Sequence, residues 1–269
     1  MKHMAHKARK RFGQNFLVNP WVVAEIIQCI CPQPDDQMVE IGPGLGALTV
    51  PLIQTLAHLT VIELDRDIVE RLRQDYPPEK LTIHSADALK FDFFSLGDQL
   101  RIVGNLPYNI STPLLFHLAR FSGSIRDMHF MLQKEVVERM VAVPSTADYG
   151  RLSVMLQYRF EMERMLTVSA ESFRPAPKVD SAIVRMCPIR QPTPALSSES
   201  AESAFSRIVT AAFSQRRKTL RNTLSGHLAG EDFSHLAIDP GLRAENLTVE
   251  EYIKIANYYA AKQPGTLSI

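Results

Sequence analysis

The sequence is poor in cysteine and in tryptophan. Its 269 residues include three cysteines and one tryptophan. Cys29, Cys31 and Cys187 are an odd set without metal-ligand spacing, which predicts reduced, buried thiols rather than a disulfide framework. The eight histidines form no ligand-spaced cluster either, so we assign none of them to a metal ion.

Long apolar runs are missing as well. The longest, such as Trp21 to Ile30 and Met38 to Ile41, are far shorter than the roughly 20 residues that a membrane-spanning helix needs. The basic N-terminal segment leads into Gly13, Gln14 and Asn15 without the apolar stretch and cleavage site of a signal peptide. We therefore expect no membrane segment and a cytoplasmic protein.

The net charge is low, at +1, but two segments contain no acidic residue. The N-terminal segment contains Lys2, Lys7, Arg9, Lys10 and Arg11. The second segment, residues 205–221, contains Arg207, Arg216, Arg217, Lys218 and Arg221. For each segment, contact with a nucleic-acid backbone and a solvated basic face both remain open.

Short apolar strands alternate with helical patterns through the first part of the chain. A strand at Met38–Ile41, a glycine-rich turn at Gly42–Gly46 and a helix at Ala47–Leu56 are predicted first. This alternation is typical of a doubly wound α/β fold, whose mostly parallel sheet is covered by helices on both faces. Further strands are predicted at 59–64, 81–84, 100–103, 128–132, 164–168 and 182–186, and further helices at 21–30, 67–74, 112–119, 134–143 and 151–160.

A proline- and serine-rich stretch, residues 188–198, separates this pattern from a purely helical one. We predict a first domain over residues 1–190 and a small all-helical domain over residues 197–269. In the second domain, Leu247–Tyr259 has the periodicity of an amphipathic helix. One further helical face is predicted to carry Phe205, Val209, Phe213, Leu220 and Leu224.

Three features at predicted strand ends indicate a nucleotide-like ligand. The turn after the first strand, Glu40 to Gly46, carries Gly42 and Gly44, and such glycines let the backbone approach a ligand closely. Glu63 ends the next strand about 20 residues on, where a carboxylate can bind ribose hydroxyls. Asp87 follows the third strand, as an adenine acceptor or as a simple helix cap. A nicotinamide cofactor would meet the same conditions, so only an adenosine-containing cofactor is predicted here.

The fourth strand runs into Asn105-Leu106-Pro107-Tyr108. The Asn105 side-chain oxygen and the Leu106 carbonyl are two acceptors that can bind the N6 hydrogens of adenine, which would point the nitrogen lone pair at a methyl sulfonium. Pro107 would fix the backbone, and Tyr108 would stack on the base. The alternative is a turn with a buried aromatic side chain.

Five segments carry further motifs: residues 10–17, 40–46, 104–111, 173–181 and 213–224. Together they closely resemble the ribosomal RNA adenine dimethyltransferase family, over nearly the whole chain. The tetrad is similar to the Asn/Asp-Pro-Pro-Tyr motif of amino-group methyltransferases, with Leu106 in place of the first proline. Residues 133–137 and a basic helix predicted around 215–219 resemble the bacterial small-subunit branch of the family.

This resemblance implies a Rossmann-like methyltransferase sheet, S-adenosylmethionine as cofactor, and no metal. Cofactor contacts are implied for Asn15, Leu17, Gly42, Gly44, Glu63, Asp87 and Asn105. It also implies that Phe173 lies across the target base from Tyr108. RNA contacts are expected from Lys10, Arg11, Arg216, Arg217, Lys218 and Arg221.

The implied substrate is a pair of adjacent adenosines in the 3′-terminal hairpin loop of 16S ribosomal RNA, each dimethylated within an immature small subunit by a monomeric enzyme. Three other hypotheses are weighed against it. They are a large-subunit adenine methyltransferase, an assembly factor for which methylation is secondary, and a nicotinamide dehydrogenase that would use Tyr108 with Lys134. The resemblance disfavours the dehydrogenase, and the basic segment at 215–224 disfavours the large-subunit enzyme.

Overall fold

The computed structural model describes residues 15–263. These residues form two compact units, one made of the chain up to Val137 with Glu161–Pro188, and one made of Glu138–Phe160 with the chain from Ile189. The predicted division at residues 188–198 lies next to one of the three points where the chain passes from one unit to the other, between Pro188 and Ile189. Segment 138–160, predicted in the first domain, groups with the helical unit because its Val154 and Tyr158 belong to the apolar core of that unit.

The first unit is an α/β unit, as predicted. Its strands are β1 (Phe16–Leu17), β2 (Met38–Ile41), β3 (Leu59–Glu63), β4 (Leu81–Ser85), β5 (Leu100–Asn105), β6 (Ile125–Gln133), β7 (Phe160–Val168), β8 (Phe173–Arg174) and β9 (Ser181–Pro188). Its helices are α1 (Pro20–Ile30), α2 (Thr49–Thr55), α3 (Arg66–Asp75), α4 (Ser111–Ala119) and the first half of α5 (Lys134–Val141).

Seven of these strands form one sheet in the order β4-β3-β2-β5-β6-β9-β7. The first five strands in this order, β4, β3, β2, β5 and β6, are all parallel, so their carboxyl ends lie at one edge of the sheet. Strand β9 runs antiparallel to β6, with Gln133 opposite Ser181. The mostly parallel sheet is therefore confirmed. A separate two-stranded sheet pairs Leu17 of β1 with Phe173 of β8.

Local sequence explains where the helices begin. Asn19 accepts hydrogen bonds from the amides of Trp21 and Val22, and Pro20 occupies the first turn of α1. The helix ends at Cys31, which adopts the left-handed conformation. The Asp65 side chain caps α3 by accepting from the amide of Asp67.

Apolar side chains of the strands and of α1 to α3 form the core of the first unit. Buried residues such as Leu52, Leu59 and Val61 fill the space between helices and sheet, and burial of this kind supplies most of the driving force for folding. The core therefore fixes the positions of the strand ends from which the polar side chains of the candidate site project.

The second unit is helical. It contains the remainder of α5, α6 (Arg151–Gln157), α7 (Glu199–Ala212), α8 (Leu220–Thr223), α9 (Gly230–Leu236) and α10 (Val249–Lys262). Helix α10 begins with a capping box, in which Thr248 and Glu251 exchange side-chain to backbone hydrogen bonds. In the apolar core of the second unit, Phe205, Ile208, Tyr252 and Ala256 pack together with residues of segment 138–160.

The predicted single helical face from Phe205 to Leu224 is wrong in one respect. Helix α7 ends before Phe213, and residues 213–218 form turns before α8 begins. Thr219 instead makes a β-bridge with Arg243, and the amide of Leu220 donates to the carbonyl of Leu242. Residues 215–219 therefore form a basic turn, held by the bridge between Thr219 and Arg243, and not the predicted basic helix. Helix α9 was not predicted.

The three cysteines are free, as predicted, but not buried, because Cys31 is exposed and the other two are partly exposed. Over residues 15–263, no helix is long and apolar enough to cross a membrane. Among the same residues, no group of three or more His, Cys, Asp or Glu side chains is placed to hold a metal ion.

Candidate active site

A cavity of about 290 Å³ lies at the carboxyl edge of the parallel strands in the first unit. Parallel α/β sheets bind ligands at this edge. All seven residues that the resemblance implies for the cofactor line it, and so do four of the five implied for catalysis. Asn105 belongs to both sets, so the two sets together comprise ten lining residues: Asn15, Leu17, Gly42, Gly44, Glu63, Asp87, Asn105, Leu106, Pro107 and Tyr108.

The glycine turn forms one wall of the cavity. Gly42, Gly44 and Gly46 have φ values of +69°, +56° and +90°, which side chains other than glycine rarely adopt. The amide of Gly42 donates to the carbonyl of Ile62, which ties the turn to β3. The turn therefore presents bare backbone to the cavity, as a cradle for a ligand.

Strand β5 approaches β2 closely beside this turn. A Cβ atom on Gly104 would lie 2.6 Å from the carbonyl oxygen of Ile41 and 3.1 Å from the side chain of Leu106. Glycine at 104 is therefore required for Asn105 to reach the cavity next to the glycine turn.

Two carboxylates stand at neighbouring strand ends. Glu63 is 7% exposed, and its Oε1 accepts from the amide of Asp65 at 2.8 Å. Burial raises the pKa of Glu63, while amide hydrogen bonds, that of Asp65 first, act in the opposite direction. Asp87 Oδ1 accepts from the amide of Leu89 at 3.0 Å. No helix begins at Asp87, so the alternative of a simple helix cap does not apply.

A third carboxylate, Glu40, also lines the cavity, although no separate role was predicted for it from the sequence. Thr49 Oγ1 donates to Glu40 Oε2 at 2.7 Å. Burial is the largest effect on the Glu40 pKa and raises it, the Thr49 hydrogen bond lowers it and the nearby Glu63 charge raises it, so that the resulting pKa is about 7. The position of Glu40 directly before the glycine turn was the available signal.

The Asn105 amide is oriented by the segment that precedes β1. Its Nδ2 donates to the backbone carbonyl of Asn15 at 3.0 Å. Because a carbonyl oxygen only accepts hydrogen bonds, the amide nitrogen must face Asn15, and Oδ1 is the atom left to accept from a ligand. This orientation matches the predicted use of the Asn105 oxygen.

The next residues complete the edge of the cavity. Leu106 is buried, and its amide donates to the carbonyl of Met131 at 3.2 Å. Tyr108 is half-buried, and its hydroxyl shares a hydrogen bond of 2.8 Å with Ser181 Oγ. Burial raises the pKa of Tyr108, so the ring is neutral at physiological pH.

Phe173 is the one predicted catalytic residue outside this group. It is 1% exposed and packs in the core of the first unit, opposite Leu17 in the two-stranded sheet. The apolar pairing with Leu17 is the physical reason for its burial. It is not among the residues that line the cavity, and its predicted position across the base from Tyr108 stays a prediction.

The predicted RNA contacts fall into two groups. Lys10 and Arg11 lie outside the described residues. Arg216, Arg217, Lys218 and Arg221 are exposed on the basic turn and α8 of the helical unit. Arg216 donates to the carbonyl of Ala147 at 3.0 Å, which anchors the turn to the 138–160 segment.

The sheet order, with a glycine cradle and an Asn-Leu-Pro-Tyr segment at one edge, defines the class of Rossmann-like methyltransferases. A family model described as Ribosomal RNA adenine dimethylase matches residues 5–261. The chain therefore belongs to the ribosomal RNA adenine dimethylase family, as the motifs predicted.

Relatives and solved structures agree with this family. The chain is 65% identical over 252 residues to Ribosomal RNA small subunit methyltransferase A of Nitrosomonas europaea, covering 94% of this chain and 96% of that protein. It is 61% identical to the protein of the same name from Nitrosospira multiformis, covering 97% and 100%.

A dimethyladenosine transferase from Plasmodium falciparum superimposes with a TM-score of 0.75 at 25% identity, covering 89% of this chain and 95% of that one. The 23S rRNA methyltransferase ErmE has a TM-score of 0.69 at 24% identity, covering 93% and 100%, which supports the fold. Membership of this family makes the chain a methyltransferase and rules out the dehydrogenase hypothesis.

Proposed function

We propose that this protein transfers methyl groups from S-adenosylmethionine to the N6 amines of two adjacent adenosines in the 3′-terminal hairpin loop of 16S ribosomal RNA, producing N6,N6-dimethyladenosine. One observation carries the proposal. The Asn105 amide, turned by the Asn15 carbonyl so that Oδ1 is the free acceptor, lies in the wall of a cavity lined by the glycine turn and by the Glu63 and Asp87 carboxylates.

The residues present fit an adenosine-containing cofactor. Gly42 and Gly44, whose positive φ angles favour glycine, expose backbone to the cavity at these two positions. Glu63 and Asp87 line the cavity; Glu63 would accept from ribose hydroxyls and Asp87 from an adenine amine. Bound S-adenosylmethionine would supply the methyl group, with its sulfonium sulfur as the leaving group.

The chain would act on the target base by holding it. In the first transfer Asn105 Oδ1 and the Leu106 carbonyl would accept the two N6 hydrogens, and in the second transfer one of these acceptors would bind the single hydrogen that remains, so that the nitrogen lone pair points toward the methyl carbon. Each transfer would exchange the carbon–sulfur bond of the bound methyl donor for a nitrogen–carbon bond at N6, and one N6 proton would pass to solvent in each round. The neutral Tyr108 ring stacks on the base, in the way aromatic faces hold unstacked nucleotides.

The helical unit would bind the RNA backbone, and the first unit would bind the cofactor and catalyse transfer. The exposed cations of the basic turn suit phosphate contacts, which add affinity without reading sequence. Loop adenines are extracted at low energetic cost. We further propose that the monomer acts on an immature small subunit, where this hairpin is accessible.

Transfer of labelled methyl from S-adenosylmethionine tests the proposal. Unmethylated small subunits and naked large-subunit RNA are incubated in parallel, and the product nucleosides are separated. We expect N6,N6-dimethyladenosine in small-subunit RNA only. Label confined to large-subunit RNA would instead identify a large-subunit enzyme, and no label in either would leave an assembly factor with a methyltransferase fold.

A further inference from the structure

Tyr108 is held at two points by buried serines. Its hydroxyl shares a hydrogen bond of 2.8 Å with Ser181 Oγ, and its backbone carbonyl accepts from Ser111 Oγ at 3.0 Å. Ser181 is 0% exposed and Ser111 3% exposed. Two anchors, one at the tip of the side chain and one at the backbone, restrict the tilt of the ring.

Ser181 reaches Tyr108 from outside the cavity. It begins β9, the strand antiparallel to β6, where it lies opposite Gln133. It is not among the residues that line the cavity, whereas Tyr108 is. Ser181 therefore touches the stacking residue without being placed to touch a ligand.

We propose that Ser181 is a positioning residue that fixes the Tyr108 ring so that its face, rather than its hydroxyl, meets the target base. This inference rests on the proposed function. With the ring tilt fixed in the free protein, less conformational freedom is lost when the base enters, which favours the geometry required for transfer.

The chemistry of the hydroxyl agrees with this role. Burial is the largest effect on Tyr108 and raises its pKa, and the neighbouring Asp180 charge raises it further, while the Ser181 hydrogen bond lowers it. The hydroxyl therefore stays protonated near neutral pH and does not act as a base. Ser181, which is not among the residues that line the cavity, gives this half-buried hydroxyl a hydrogen-bond partner.

A double-mutant cycle tests the inference. Tyr108→Phe, Ser181→Ala and the double variant are compared with the wild type for kcat and KM on small-subunit RNA, with cofactor affinity measured separately. Each single change is expected to lower kcat about three- to tenfold, the range for one net hydrogen bond, with cofactor affinity unchanged. The double variant is expected to be no slower than the slower single variant.

Matched variants separate positioning from simple loss of a buried hydrogen bond. Ser124 is 5% exposed, lies in the same unit, and donates to Asp98 Oδ1 at 2.8 Å away from the cavity. Ser124→Ala is expected to leave kcat unchanged. Ser181→Cys keeps the side-chain volume with a weak hydrogen-bonding group, and it replaces Ser181→Ala if that variant unfolds.

The outcomes separate this inference from the proposed function. Losses that multiply in the double variant, or a Ser181→Ala protein with wild-type kcat, would overturn the positioning role alone. A wild-type protein that transfers no methyl group to adenine would overturn the proposed function, and the positioning role with it.

Discussion

At the scale of single residues, the proposed chemistry depends most on the orientation of Asn105. Its amide nitrogen is engaged by the Asn15 carbonyl, so only Oδ1 can accept from a substrate amine. Asparagine meets both demands at once because its two terminal atoms differ in hydrogen-bonding character.

We expect Asn105→Ala to lower methyl transfer about 10²–10³-fold, the cost of removing one preorganised hydrogen-bonding group, with less than about a tenfold change in cofactor affinity. Asn105→Asp is the matched control. It keeps an acceptor but sets a carboxylate oxygen against the Asn15 carbonyl, and it should fall between the wild type and the alanine variant. Single-turnover transfer and calorimetric binding measure both effects, and normal turnover of Asn105→Ala would contradict the mechanism.

Glu40 makes stability depend on pH. Its pKa is 4.5 as an ordinary glutamate and about 7 when buried in the fold. The folded protein thus holds this proton more tightly than the unfolded chain does, so the contribution to stability is complete below pH 4.5 and is lost as the pH rises through 7. At about 1.4 kcal/mol per pKa unit, the loss over this shift amounts to about 3–4 kcal/mol.

Urea unfolding of the wild type and of Glu40→Gln between pH 5 and pH 7.5, a window of about 2.5 units, measures this loss. Glutamine keeps an acceptor for Thr49 but does not titrate. We expect the free energy of unfolding to fall more steeply with rising pH in the wild type than in the variant. Equal slopes would show that Glu40 does not titrate in this window.

At the scale of elements, the close approach of β2 and β5 positions the site. Gly104→Ala would place a methyl group 2.6 Å from the Ile41 carbonyl oxygen, and overpacking of this kind costs about 1–3 kcal/mol. We expect that loss of stability, together with weaker cofactor binding. Gly123→Ala, where a Cβ atom meets nothing within 4 Å, serves as the control. Equal stability of the two variants in urea would argue against the required approach.

The basic turn offers a second prediction at this scale. Arg217 and Lys218 are exposed, so replacing both with alanine should leave thermal stability unchanged. RNA affinity should weaken, and the dependence of log affinity on log salt should become shallower by about 0.7–0.9 for each phosphate that the turn no longer neutralises. The exposed pair Arg73 and Lys80 of the first unit is the control. An unchanged salt dependence would exclude backbone binding by this turn.

Elements with strong local signals were predictable, and elements set by distant partners were not. Strand β2, the glycine turn and α1 were recognisable because their apolar runs, glycines and caps lie within a few residues of each other. The turn at 213–218 was missed because its geometry depends on pairing of Thr219 with Arg243. The antiparallel direction of β9 likewise depends on a long-range partner, β6.

The same distinction applies to the site. Strand ends and glycines were predictable because parallel strands bring their carboxyl ends to one edge. The burial of Phe173 depends on pairing of β8 with β1, which no local pattern indicates. The roles of Glu40 and Ser181 likewise follow from tertiary neighbours, Thr49 in one case and Tyr108 in the other.

At the scale of the whole molecule, two units divide the proposed work. The first carries the cavity, and the second carries the exposed cations of the basic turn. Segment 138–160 joins the second unit although it precedes most of it in sequence, because Val154 and Tyr158 pack in the helical core. A truncation at residue 190 would therefore not isolate the first unit, because it would keep segment 138–160 and remove the rest of the helical core in which this segment packs.

Mass mapping of the 3′-terminal fragment of small-subunit RNA tests the central claim most directly. Unmethylated small subunits are incubated with S-adenosylmethionine and either the wild type or Asn105→Ala. The fragment is then digested, and the masses of its digestion products are measured by mass spectrometry. We expect two neighbouring dimethylated adenines with the wild type and unmodified adenines with the variant. Methyl groups elsewhere in the RNA, or equal modification by the variant, would contradict it.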